Sequence, residues 1–145
     1  DLGIPMCIQT GPIGLPQVRD LAVRFPKVNI ILDHLGRPDV LDGPPYANAD
    51  SLFAMADLPN IYLKLTPRIM GDVTKGQASA DTFFTKVAAV FGANRMAWGS
   101  NFPTSPGTLS DILATARDRL ACLSDEDQNW VFAKTAQTLY PALKD

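Results

Sequence analysis

The only histidine of this 145-residue chain, His34, closes the run Ile30-Ile31-Leu32-Asp33-His34-Leu35-Gly36, where an apolar strand signature meets a glycine turn. In parallel α/β architectures the reactive groups stand at strand C-termini and in the loops just after them, so an imidazole here is a candidate ligand or base. The competing reading is a core histidine bonded to backbone. Polar residues recur where three other apolar runs end: Gln9-Thr10, Lys64 with Thr66 and Arg68, and Ser100-Asn101. A buried parallel strand is almost continuously apolar, so polar clusters at one end of four such runs point to a lined pocket. His34 and Asn101 are expected to face that pocket together.

Catalytic zinc takes three protein ligands and an open position. One histidine is too few, and Asp33 alternates to the opposite side of the strand from His34, so any metal site must borrow ligands from elsewhere. Lys64 and Arg68 are cations able to hold a substrate carboxylate, arginine bidentately. For Lys64, pairing with a neighbouring acid is an equal alternative. Trp98 reads as a core residue.

The elements that must position these groups alternate between strand and helix. Strand signatures cover 4–9, 28–33, 61–66 and 95–99, each followed by an apolar stripe at helical spacing. The stripes are Val18/Leu21/Ala22/Phe25, Ala49/Leu52/Phe53/Ala56, Phe84/Val87/Ala88/Phe91 and Leu109/Ile112/Leu113/Ala116. Pro16, Asn48 and Ser79 read as helix-start signals, and Ser105-Pro106 lies ahead of the fourth helix. Ser124 with Asp127 resembles a capping box opening a fifth helix over 125–139, stopped by Pro141. This cadence fits a (β/α) barrel or a doubly wound sheet. No glycine-rich phosphate loop follows any strand, which favours the barrel. Four units are half of a barrel, and Asp1-Leu2-Gly3 reads as a helix end with a glycine cap, so the chain is expected to begin inside a fold.

The composition excludes several classes. With 46% hydrophobic and 19% charged residues, and 13 basic against 15 acidic side chains for a net charge of −2, the chain resembles an ordinary globular domain. Its basic residues are scattered singly, which gives neither nucleic acid nor an anionic membrane a footprint. No apolar run approaches the roughly 20 residues of a membrane span, so a cytoplasmic location is expected. Cys7 and Cys122 are far apart and read as two buried reduced thiols.

Three ordered blocks carry a resemblance. The stretches 28–38 (VNIILDHLGRP), 58–66 (LPNIYLKLT) and 91–103 (FGANRMAWGSNFP) resemble consecutive landmarks of the amidohydrolase-related metal-dependent hydrolases, in the branch of sugar lactonases and pyrone dicarboxylate lactonases. The resemblance spans the whole chain and closes on a final helix, 130–140. It implies a (β/α)8 barrel in which residues 1–145 supply strands five to eight. His34 then matches the histidine after strand six, a metal ligand or a hydrogen-bonding partner of the substrate carbonyl. Asn101 matches a strand-eight position usually held by aspartate, whose carboxylate binds metal and activates water; an amide takes no proton at neutral pH, but the resemblance leaves its oxygen able to ligate the metal or to orient water. Gln9 stands where metal-rich relatives place a histidine, and Gln9, Lys64 and Arg68 become substrate-binding candidates. The implied cofactor of the full-length protein is a divalent metal, zinc or manganese, or none. The implied activity is hydrolysis of a small carboxylated or sugar-derived lactone. Alternatives are a decarboxylase of the same superfamily, and an inactive piece that pairs through its exposed half-barrel edges with a second copy or with the missing N-terminal half-barrel.

Overall fold

The computed structural model describes residues 3–144. Its centre is one four-stranded parallel sheet: β1 (Met6–Gln9), β2 (Ile30–Asp33), β3 (Ile61–Leu65) and β4 (Met96–Trp98), in the spatial order β1-β2-β3-β4. Sequential order separates the two architectures left open by the cadence. A doubly wound sheet reverses direction at a switch point, whereas a barrel adds each strand beside the last. The strands start within two residues of the expected positions, and the register runs Gln9↔Asp33, Asp33↔Lys64 and Lys64↔Ala97 across the sheet. The helix end read at Asp1-Leu2 lies outside the described residues.

Alternation along these strands divides the two faces. Ile30, Leu32, Ile61, Leu63, Leu65 and Met96 form the helix-facing set and are at most 1% exposed. Each such side chain contributes about 1.5–3 kcal/mol relative to exposure. The helices that cover them are α1 (Leu15–Arg24), α2 (Asp50–Phe53), α3 (Pro67–Asp72), α4 (Ala80–Phe91) and α5 (Leu109–Arg119). Phe83 and Phe84 of α4 are completely buried, and Phe83 meets Tyr46 edge-on at 5.2 Å. Ser79 caps α4 by accepting from the Thr82 N–H, as its position predicts.

Several local expectations are corrected. Asn48 does not cap a helix: its N–H donates to Asp42 and its side chain to Asp39, while the 47–57 segment divides into two 3-10 turns flanking the four-residue α2. In α1 the buried residues are Leu15, Val18 and Ala22, whereas Leu21 and Phe25 are exposed. Leu109 is exposed too, and α5 is capped by Thr108 in a full capping box with Asp111. Ser124 caps α6 (Asp125–Asn129), but its hydroxyl donates to the Asp127 carboxylate, which is not the reciprocal backbone bond of a capping box. The final helix continues through a π-helical turn, Trp130–Lys134, into α7 (Thr135–Leu139). Cys7 is exposed, not buried, because β1 has only one neighbouring strand among the described residues; its Sγ lies 3.7 Å from the Tyr140 hydroxyl. Burial in that corner, with Cys7 as the next cause, pushes Tyr140 up to about 12. Cys122 is half-buried.

Candidate active site

The C-terminal ends of β1, β2 and β3 carry polar side chains on the face away from the helices, and Ala97 holds the corresponding place on β4. Gln9, Asp33 and Lys64 occupy one row of the register. Asp33 and Lys64 share a face, and Lys64 Nζ donates to Asp33 Oδ1 at 2.8 Å with both side chains partly exposed. Lys64 is therefore committed to an acid, the structural one of its two expected roles. Gly99 keeps this row open, since a Cβ there would stand 2.9 Å from Lys64 Cε.

His34 follows β2 at φ +56° and starts a run of four residues in the left-handed region, with Leu35 at +55°, Gly36 at +70° and Arg37 at +54°. For residues with a Cβ this conformation costs about 1–2 kcal/mol each. Packing offsets it: Leu35 is fully buried, and Gly36 sits so close to Leu15 that a Cβ would be 3.0 Å from Leu15 Cδ2. Glycine is thus favoured at 36 twice over, by φ and by space. Strain of this kind, held in place by its surroundings, is commonest at functional sites.

The imidazole Nδ1 lies 2.6 Å from Thr66 Oγ1, and Thr66 is 1% exposed. Desolvation moves His34 below its ordinary value of 6.5; Asp33 opposes the shift, and Arg37, Lys64 and Arg68 reinforce it. The ring is neutral at pH 7, with one nitrogen engaged by a buried hydroxyl. Stability follows with a definite sign. Between pH 6.5 and the lower folded value the unfolded chain binds the proton more readily, so stability is complete above about pH 6.5 and falls as the solution is acidified. A thermal midpoint that drops from pH 7.5 to pH 5.5, by less in His34→Gln than in the parent, is the expected outcome. Equal drops would contradict it.

Asn101 follows β4, also left-handed at φ +50°, a region in which asparagine is tolerated. Its Nδ2 donates to Ser105 Oγ at 3.2 Å, and the Ser105 N–H returns to the Asn101 carbonyl at 2.9 Å. His34 and Asn101 thus both follow strand C-termini, but the first bonds Thr66 and the second Ser105. Arg68 belongs to neither group: it sits in α3, 56% exposed, 3.7 Å from Asp72, and lines a cleft between α3 and α5. Trp98 packs against Phe132 at 6.0 Å and also lines that cleft. The sequence reading set Thr66 among the polar strand-end residues and left the acid beside Lys64 unnamed; it identified neither Thr66 as the partner of His34 nor Asp33 as that of Lys64. Their signal was spacing: Lys64 and Thr66 are two apart, hence on one strand face.

The donors do not amount to a metal centre. Among the described residues no group of three His, Cys, Asp or Glu could hold an ion, and His34 has only Nε2 left to offer.

Comparison with known proteins places this geometry. The family model described as Amidohydrolase matches residues 1–142. An L-fucono-1,5-lactonase of Burkholderia ambifaria is 30% identical over 99 residues, 65% of this chain and 33% of the lactonase. A Pseudomonas putida protein assigned as a 2-pyrone-4,6-dicarboxylic acid hydrolase superposes with a TM-score of 0.76 at 18% identity, covering 99% of this chain and 53% of that one. An amidohydrolase of Burkholderia multivorans with bound zinc gives 0.72 at 20% identity, covering 93% and 51%. The chain therefore spans about a third of the curated relative and half of the solved ones. Four parallel strands in sequential order, with helices on one side, are one half of a (β/α)8 barrel, and the chain belongs to the amidohydrolase family.

Proposed function

We propose that the full protein hydrolyses a small carboxylated or sugar-derived lactone. Water adds to the ring carbonyl, the ring C–O bond breaks, and the leaving oxygen takes a proton to give a hydroxy acid. The observation that carries this reading is the neutral His34, fixed through Nδ1 by Thr66 at the end of β2. When the Thr66 hydroxyl donates to Nδ1, the tautomer carries its proton on Nε2, ready to donate to the oxyanion that forms as water adds. Asn101 spends its Nδ2 on Ser105 and keeps Oδ1 to accept a hydrogen bond from the water or the leaving hydroxyl. Gln9 adds a neutral donor and acceptor to the same rim, beside the Asp33–Lys64 pair.

His34 and Asn101 do not make a metal site alone, so a divalent ion would draw on donors outside this chain's described residues. The similarity to the fuconolactonase supports a lactone as substrate. No helix of the described residues is long and apolar enough to cross a membrane.

Incubating the full protein with a panel of sugar and dicarboxylate lactones tests the proposal. Ring-opened acid should accumulate, with the proton release that accompanies it and no carbon dioxide. Carbon dioxide from carboxylated substrates, with the lactones intact, would replace this reading by the decarboxylase.

A further inference from the structure

Opening a lactone requires a proton at one atom, the ring oxygen expelled when the C–O bond breaks. An alkoxide is about as basic as hydroxide, whose conjugate acid has a pKa of about 15.7, so it departs readily only if it is protonated as it goes. Most polar side chains at the strand ends cannot supply that proton. His34 is neutral and donates a hydrogen bond without giving its proton up. The amides of Gln9 and Asn101 and the hydroxyl of Thr66 are no stronger acids than the alcohol being formed, and Arg37 and Arg68 stay protonated. Cys7 and Tyr62 carry dissociable protons, but the register sets them one inward row behind, two residues or about 7 Å back along their strands, and Tyr140 meets Cys7 there. The Lys64 ammonium remains.

Its surroundings are arranged for it. Lys64 shares the foremost inward row with Gln9 and Asp33 and stands two residues before Thr66 on the same strand face. Thr66 holds His34, whose imidazole feels the charge of Lys64. The carbonyl oxygen and the ring oxygen of a lactone share one carbon, so the groups that serve them must be neighbours, as these two are. Strand β4 leaves room for the lysine stem: Ala97 is the register partner of Lys64, and a Cβ at Gly99 would stand 2.9 Å from Cε and 3.2 Å from Cγ. Asp33 Oδ1 anchors Nζ at 2.8 Å and is its only hydrogen-bond partner among the described residues. An ammonium has three N–H donors, so two stay free on a side chain that is 34% exposed.

We propose that Lys64 is the general acid of the reaction, anchored by Asp33 and giving a free Nζ proton to the departing ring oxygen. This assignment rests on the lactonase reading. Water adds to the carbonyl carbon and loses one proton to solvent. As the tetrahedral carbon collapses, its C=O bond re-forms, the ring C–O bond breaks and the ring oxygen takes the Nζ proton. The neutral amine then regains a proton from the carboxylic acid just formed, leaving a hydroxy carboxylate and the ammonium.

The experiment compares, in the full protein, the aliphatic lactone that the parent opens fastest with dihydrocoumarin, whose phenoxide leaves without a proton. Lys64→Arg keeps the cation for Asp33 but arginine is not deprotonated, so kcat for the aliphatic lactone should fall by about 10²-fold or more, and by at least about tenfold less for dihydrocoumarin. Lys64→Ala should regain aliphatic activity with added propylammonium and not with tetramethylammonium, which carries the charge without a proton. The proposal is overturned if Lys64→Arg keeps kcat within about threefold on the aliphatic lactone, if both lactones lose equally, or if tetramethylammonium restores activity as well as propylammonium does. A parent that opens no lactone ends the lactonase reading and this proposal together; an active parent with an unaffected Lys64→Arg ends the proposal alone. Should one variant lack a cooperative thermal transition, the other decides. Should both lack it, the parent decides: its kcat for the two lactones should agree within about tenfold, and a larger deficit for the aliphatic one overturns the assignment.

Discussion

Replacing His34 by alanine in the full protein should lower kcat for lactone hydrolysis by about 10²–10³-fold, the usual cost of losing one oxyanion donor. KM should change by much less, because that hydrogen bond is strongest to the charge developing as water adds and not to the resting carbonyl. The structure supplies an internal control. Thr66→Val keeps volume and branching at a side chain only 1% exposed but removes the hydroxyl 2.6 Å from Nδ1. Its loss should be smaller, roughly tenfold or less, the value of one neutral hydrogen bond. Thr66→Ser should recover most of it. A kcat unaffected by His34→Ala would remove the histidine from the reaction, and a Thr66→Val effect as large as His34→Ala would mean that the imidazole had lost its place entirely.

Much of the arrangement around His34 was legible in the residues. Apolar runs bounded by polar ends gave the four strands to within two residues, and their cadence narrowed the fold to a barrel or a doubly wound sheet, of which the strand order displays the barrel progression. The uncertain fate of Lys64 was equally readable as a choice between two partners, and only the register that sets Asp33 opposite Lys64 decides it. Side-chain periodicity was blind elsewhere. The 47–57 segment keeps Ala49, Leu52 and Met55 buried while its backbone passes from 3-10 to α and back, a change in hydrogen-bond spacing that a three-to-four-residue stripe does not specify. A stripe also does not say how wide the covered face is, which is why Leu21 and Phe25 of α1 are exposed beside a buried Val18. The left-handed run from His34 to Arg37 was invisible for a different reason: only Gly36 announces it, and three ordinary residues follow because Leu35 gains more in the core than the backbone loses.

Asn101→Asp in the full protein should raise lactonase activity and give it an acidic pH limb. The site is built to accept the change: aspartate tolerates φ near +50° as asparagine does, and the Ser105 hydroxyl, which now accepts from Nδ2 at 3.2 Å, can turn to donate to a carboxylate. The change therefore tests chemistry and not folding. An amide can hold a water but cannot take its proton, whereas a carboxylate can do both, and general-base assistance is typically worth about 10²–10⁴-fold. Ionised only above its own pKa, the new group would make activity fall as the pH drops through that value, a limb the parent lacks. The opposite result has an equally definite meaning. If kcat/KM for a carboxylated lactone falls while that for a neutral sugar lactone holds, the new anion repels the substrate's own carboxylate, and asparagine at 101 is a selector for acidic substrates. Activity unchanged toward both would place Asn101 outside the reacting centre, leaving its bond to Ser105 as a loop-closing contact after β4.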